Sequence, residues 1–205
     1  MTKLFSSICV AVCVLFISNL GEVLAEKRNP VTRNSVQKLL GEIKQIKFGE
    51  NLSARQVEDN RSHSQNALEF LNMAQISKKA LGKHWKKITR QEQKQFQALL
   101  GKLFVHVAFP SSAKFFAKLN LVYGETREDK QALVVPLTVV HGKEGEVDID
   151  FKLTQAVDKW QIVDVILDGV SMRNNLRRQF YKVIKKKNFN ELIRKMEKKL
   201  SSARS

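Results

Sequence analysis

The chain has two cysteines, Cys9 and Cys13, and both fall within its first 25 residues. From Glu26 onward there is no thiol, which excludes a disulfide framework, a cysteine nucleophile and a cysteine metal site for that part. Three prolines and nine glycines in 205 residues exclude collagen-like and low-complexity architectures. The four histidines (His63, His84, His106 and His141) lack a second ligand at helical or hairpin spacing, so no metal site is expected. Neither a glycine-rich phosphate loop nor a G-x-S-x-G elbow is present. Acidic residues are few: 20 Asp+Glu against 36 Lys+Arg leave a formal charge of +16, which attracts polyanionic partners. With 43% hydrophobic and 27% charged positions the composition is that of a folded chain.

The N-terminus has the layout of a secretory signal peptide. Lys3 precedes an almost wholly apolar stretch from Leu4 to Leu20, and Val23-Leu24-Ala25 offers a small-residue cleavage site before Glu26. The apolar run is at the short end for a membrane span. Removal of residues 1–25 takes away Lys3 and Glu22, so the net charge stays with residues 26–205. A remainder of roughly 180 residues hides about 70% of its unfolded surface and folds on its core alone.

Two hydrophobic periods divide that remainder. Residues 26–34 are polar and read as a loose lead-in. Val36, Leu39, Leu40, Ile43 and Ile46 then form a helical stripe that ends at Gly49. Ser53 with Gln56, and Thr89 with Glu92, are capping boxes that open two further helices. The first turns apolar at Ala67, Leu68, Phe70, Leu71, Met73 and Ala74. A short helix at Ser77–Leu81 stops at Gly82. The helix behind Thr89 carries Phe96, Leu99, Leu100, Leu103, Phe104 and Val107 and is expected to end before Pro110.

Beyond Ser111 the period becomes two. Strands are expected at Ala117–Tyr123, around Leu133–Val139, around Val147–Leu153 and at Trp160–Leu167, joined by short turns into an antiparallel meander. Pro136 falls in the polar register, which suggests an edge or a bulge. Helices marked by Leu176, Phe180 and Ile184, and by Phe189, Leu192, Ile193, Met196 and Leu200, close the chain. The expected fold class is α+β: a four-stranded antiparallel meander with helices packed on one face, in a single domain over 26–205.

Few residues suggest chemistry. Asp148 and Asp150 share a strand face, where carboxylate pairs do acid–base work, but the wet side of an amphipathic strand accounts for them. Asp164 alternates with apolar neighbours and is either a shielded base or a hydrogen-bonded structural group. From Arg173 to Arg204 the chain carries 12 Lys/Arg against only Glu191 and Glu197. That run is a solvated face or a docking surface for anionic groups, including Arg177, Arg178, Lys182, Lys185, Lys186 and Lys187.

Two segments carry a family resemblance. Phe70-Leu71 followed by Ala80-Leu81-Gly82-Lys83-His84-Trp85, and the run Trp160-Gln161-Ile162-Val163-Asp164-Val165-Ile166-Leu167-Asp168-Gly169-Val170-Ser171-Met172 with Asn175, Arg178, Gln179 and Phe180, resemble the MlaC/toluene-tolerance family. The resemblance covers about residues 35–200 and includes the hopanoid-associated HpnM branch. Leu71-Asn72 replaces an aromatic-Asp pair, and Phe104 with His106–Phe109 stands where a tyrosine is expected.

The resemblance implies a periplasmic lipid carrier, not an enzyme, with phospholipid as cargo and no cofactor. It implies an inner-membrane ABC transporter complex and an outer-membrane lipoprotein complex as partners. Of the aromatics among the basic groups, Phe180, Tyr181 and Phe189, two fit the buried stripe, so no nucleic acid is expected, and no exposed apolar helix demands a dimer, so a monomer is expected. An apolar cavity between helices and sheet would be lined by Phe70, Leu81, Trp85, Leu100, Phe104, Leu137, Val139, Phe151, Val163, Val165 and Val170. Burying two long acyl chains is worth on the order of 20 kcal/mol. The phosphate would stay at the mouth, near water and basic side chains. The competing readings are a secreted basic module binding polyanions through residues 173–204, and an enzyme using Asp164.

Overall fold

The computed structural model describes residues 30–141 and 145–203; the expected signal peptide at 1–25, with both cysteines, lies outside them. The chain is already helical at residue 30, so the lead-in is shorter than its polarity suggests. Helix α1 spans 30–45 and buries Val36, Leu39, Leu40 and Ile43. Asn60 then pins the connection to α2 (Ala54–Glu69), accepting from the Lys47 backbone N–H at 2.7 Å and donating to its carbonyl at 2.8 Å. Both capping boxes form, at Ser53/Gln56 and at Thr89/Glu92.

Apolar periodicity suggests that α2 continues through Ala74, but the chain leaves the helix at Phe70. There Leu71 makes a parallel bridge to Ile162: the Ile162 N–H donates to Phe70 and the Asn72 N–H to Ile162, at 2.8 and 2.9 Å. Asn72 caps α3 (Met73–Leu81) by accepting from the Gln75 N–H at 2.9 Å. An aspartate there would cap through a carboxylate oxygen as Asn72 does through its amide oxygen, so Asn72 keeps the cap without the charge.

A 3-10 turn (Gly82–Lys87) leads to α4 (Arg90–Leu103). Instead of stopping before Pro110, α4 passes through one widened π turn (Phe104–Ala108) into α5 (Phe109–Phe116). The Phe109 N–H donates to Phe104, five residues back. Pro110 occupies the first turn of α5, where its missing N–H disrupts little. Because α5 continues to Phe116, the first strand is shorter than alternation suggests.

The sheet has six strands, all paired antiparallel: β1 (Asn120–Tyr123), β2 (Arg127–Asp129), β3 (Ala132–His141), β4 (Gly145–Ala156), β5 (Lys159–Leu167) and β6 (Val170–Ser171). The order is β1-β3-β4-β5-β6, with β2 also on β3. The extra two strands occupy segments expected to be turns or helix lead-in. β1 and β2 pair with successive stretches of β3 and are separated opposite Pro136. The Gly124 N–H donates to the Pro136 carbonyl at 3.0 Å. In an antiparallel ladder a residue's N–H and C=O face the same neighbour, so the donor that proline lacks is missing only where that edge is interrupted. The β3–β4 ladder stays continuous across Pro136–Asp150.

Helices α6 (Met172–Lys186) and α7 (Phe189–Ser202) complete the fold. Phe96 is fully buried, edge-on to Phe180 at 5.5 Å and tilted against Phe189 at 6.4 Å, which joins α4 to both helices. The outer sheet face is wet, as alternation predicts. Thr138 donates to Asp148 at 2.9 Å, Arg127 pairs with Asp150, and Lys152 with Asp129.

Candidate binding cavity

A cavity of about 720 Å³ lies where α4, the π turn, α6 and α7 converge over β5. From the α4 side its wall is Leu100, Leu103, Phe104, Val107 and Ala108; β5 adds Val165. Helix α6 contributes Met172, Leu176, Phe180 and Val183, and α7 contributes Leu192 and Met196. These recur at three and four residues, so one stripe of each helix faces the void. The polar lining is Ser112, Asn175, Gln179, Lys195 and Lys199; Gln179 and the two lysines are exposed and mark the mouth. An adjoining space of about 60 Å³ shares Phe104, Val165, Met172 and Leu176 and reaches Ile162 and Val163. The volume is in the range that holds small amphiphilic ligands, and the apolar wall suits hydrocarbon.

A larger groove of about 980 Å³ runs along the opposite side of α4. Its floor is Leu68, Met73, Ala98, Gly101 and Val105, and six of its eleven lining residues, Arg61, Gln65, Lys94, Gln97, Lys102 and His106, carry polar or charged ends. Apolar chains laid there would desolvate charged groups, so the smaller cavity is the better hydrocarbon site despite its size. The wall formed by α4 and the π turn separates the two, with Phe104 on one side and Val105 on the other.

The expected lining residues separate into groups. Leu100, Phe104 and Val165 border the cavity, and Val163 borders its small extension. Leu81, Leu137, Val139 and Phe151 are sealed in the core, none more than 3% exposed. They belong to one packed cluster that also holds the α1 stripe. Phe70 and Trp85 pack against that core half-buried. Val170 is 45% exposed on β6 and borders neither space. The sequence reading missed the lining from α6 and α7. Periodicity marked Leu176, Phe180, Leu192 and Met196 as inward-facing, but no sequence signal separates a face against a void from one against core.

The motif residues hold the frame around this void. Asp164 is buried; it accepts from the Ser171 hydroxyl at 2.7 Å and the Arg173 N–H at 3.0 Å, with the Arg173 guanidinium at 3.3 Å. Ser171 in turn accepts from the Asn174 N–H at 3.0 Å as the cap of α6. Both Asp164 oxygens are thus engaged in anchoring α6 to β5, the structural reading of that carboxylate. Asp168 and Gly169, at φ 45° and 77°, make the tight hairpin that brings Ser171 back. Of the expected docking residues, Arg178, Lys182, Lys185, Lys186 and Lys187 are exposed on or just beyond α6; Arg177 is half-buried, with its Cδ beside Gly82. No helix of the described residues is long and apolar enough to cross a membrane, and no His, Cys, Asp and Glu grouping among them is suited to a metal ion.

Comparison with known proteins now bears on this arrangement. The sequence pattern of the MlaC protein family matches residues 33–198. No curated protein matches the sequence significantly. Among solved structures, the fold resembles that of the phospholipid-binding protein from Ralstonia solanacearum in complex with a phospholipid. That likeness has a TM-score of 0.67 at 18% identity and covers 86% of this chain and 98% of the other.

Proposed function

The chain belongs to the MlaC protein family, and on that premise we propose that it is a periplasmic phospholipid carrier. It holds acyl chains in the cavity between α4, α6, α7 and β5 and moves lipid between membranes with an inner-membrane ABC transporter complex and an outer-membrane lipoprotein complex. The observation that carries this reading is an apolar void of about 720 Å³ whose charged lining is confined to lysines at the mouth. Hydrocarbon leaves water there at about 0.8 kcal/mol per buried methylene, while the phosphate keeps its hydration. The phospholipid complex of the structurally similar Ralstonia protein supports the same reading.

The carrier breaks no bond in its cargo. Its work is to exclude water from the chains in transit and to release them where a membrane offers an equivalent environment. Cations on the exposed face of α6, Arg178, Lys182 and Lys185 among them, dock the loaded carrier at anionic surfaces, in keeping with the leader that directs export. The test is organic extraction and mass spectrometry of lipid copurifying with the protein, followed by transfer from labelled donor to unlabelled acceptor vesicles. Near-stoichiometric phospholipid and protein-dependent transfer are expected. A folded protein that carries none and accepts none from vesicles contradicts the reading.

A further inference from the structure

The cavity's apolar wall accounts for acyl chains but is indifferent to the headgroup, and the charges at its mouth are not. We propose that Lys195 and Lys199 make the site selective for phospholipids whose headgroup carries net negative charge over zwitterionic ones, an inference that rests on the carrier reading. Among the described residues, these two lysines are the only ionisable ones lining the main cavity. Four residues apart on α7, they lie one turn apart on the same side of the helix. Across the mouth α6 presents only neutral Asn175 and Gln179.

Neither lysine pairs with a carboxylate among the described residues, and the nearby acids are engaged or absent from the wall. Glu191 is held by Arg194 through two hydrogen bonds of 2.7 Å. Glu197 is exposed and does not line the cavity. In the small extension Asp164 is neutralised by Arg173. Outside the mouth, Arg178 and Lys182 flank Gln179 with further positive charge.

A phosphate therefore meets two cations that form no ion pair with a carboxylate among the described residues. Glu191 is paired with Arg194 and acts on Lys195 only at longer range. A headgroup ammonium or choline brings like charge to the same place. With both charges in water-exposed surroundings, two lysines favour the anionic headgroup by roughly three- to tenfold.

The experiment loads delipidated protein from vesicles of equimolar phosphatidylglycerol and phosphatidylethanolamine with identical chains, then measures extracted lipid by mass spectrometry. The wild type is expected to be enriched in phosphatidylglycerol about three- to tenfold. K195Q/K199Q is expected to take up the two lipids at a ratio near one. R178Q/K182Q, altered outside the cavity, is expected to load more slowly from the vesicles and to keep the enrichment. K118Q/K159Q, which alters exposed lysines away from both the cavity and α6, is the control for loss of two charges. Equal uptake by the wild type, or enrichment that survives in K195Q/K199Q, overturns the inference while leaving the carrier reading intact. Enrichment lost only in R178Q/K182Q assigns selection to surface docking and also overturns it. A wild type that takes up neither lipid overturns the carrier reading itself, and this inference with it.

Discussion

A methyl group on Gly82 would lie 2.4 Å from the Tyr181 hydroxyl, which accepts a 2.9 Å hydrogen bond from the Lys83 N–H. Gly82 also has φ of +48°, a conformation that side chains rarely adopt. The residue thus lets the end of α3 seat against α6, and Gly82→Ala is expected to cost about 2–4 kcal/mol, read as a fall in thermal midpoint of roughly 5–10 °C. Asp164→Asn is expected to cost a similar amount, about 2–4 kcal/mol by chemical denaturation, because it leaves a mostly buried guanidinium without its anion. His84, edge-on to Tyr181 at 4.7 Å, titrates below its ordinary value because burial, then Lys83 and Lys87, disfavour the imidazolium. Its neutral form is the one favoured by folding, so this contribution is present above about pH 6.5 and is lost as pH falls through the lowered value. Thermal melts between pH 7.5 and 5 are expected to show a shallower acid-side loss in His84→Phe than in the wild type; identical slopes would contradict this.

Elements are where sequence patterning was read most fully and where its failures are instructive. The two capping boxes, the Gly82 stop and the α6 and α7 stripes are local signals, set by side chains within a few residues of one another, and all are legible in the chain. Pro110 does not end the helical run, because it falls in the first turn of α5 just after the π turn, where its missing N–H disrupts little. Leu71 was misread because its backbone pairs with Ile162, 91 residues away, a contact that no local period encodes. Val157 is an element-scale flaw visible only in the structure: a β-branched residue at φ 45° and 90% exposed in the β4–β5 hairpin. Val157→Gly is expected to stabilise the protein by about 0.5–1 kcal/mol in equilibrium unfolding, since it relieves strain without removing a buried contact. A loss of stability would mean that the turn depends on the valine.

At the scale of the molecule, the fold class was legible and the cavity only partly so. The residues that carry the family resemblance, Gly82, Asp164, Gly169 and Ser171, hold α3, β5, β6 and α6 in place. The residues that line the void are ordinary leucines, valines, methionines and phenylalanines, which sequence cannot distinguish from closed core. Leu137, Val139 and Phe151 illustrate the cost: their strand alternation is right, but they are sealed in packed core and do not border the void. The net charge of +16 acts at this scale as well. Binding to phosphatidylglycerol-containing vesicles is expected to weaken as salt shortens the screening length. R178Q/K182Q/K185Q is expected to lower vesicle affinity by roughly 100-fold, at about 1 kcal/mol per charge; sedimentation binding that is insensitive to both would remove the docking role of α6.

The central claim is that the cavity, and not the larger groove behind it, holds the acyl chains. Phe104 and Val105 are sequence neighbours on opposite sides of the wall between the two. Native mass spectrometry of lipid-loaded wild type, Phe104→Asp and Val105→Asp, each with its helical content checked by circular dichroism, therefore tests the claim most directly. The account predicts that Phe104→Asp loses its lipid and Val105→Asp keeps it. Lipid retained by a folded Phe104→Asp, or lost only from Val105→Asp, would contradict it.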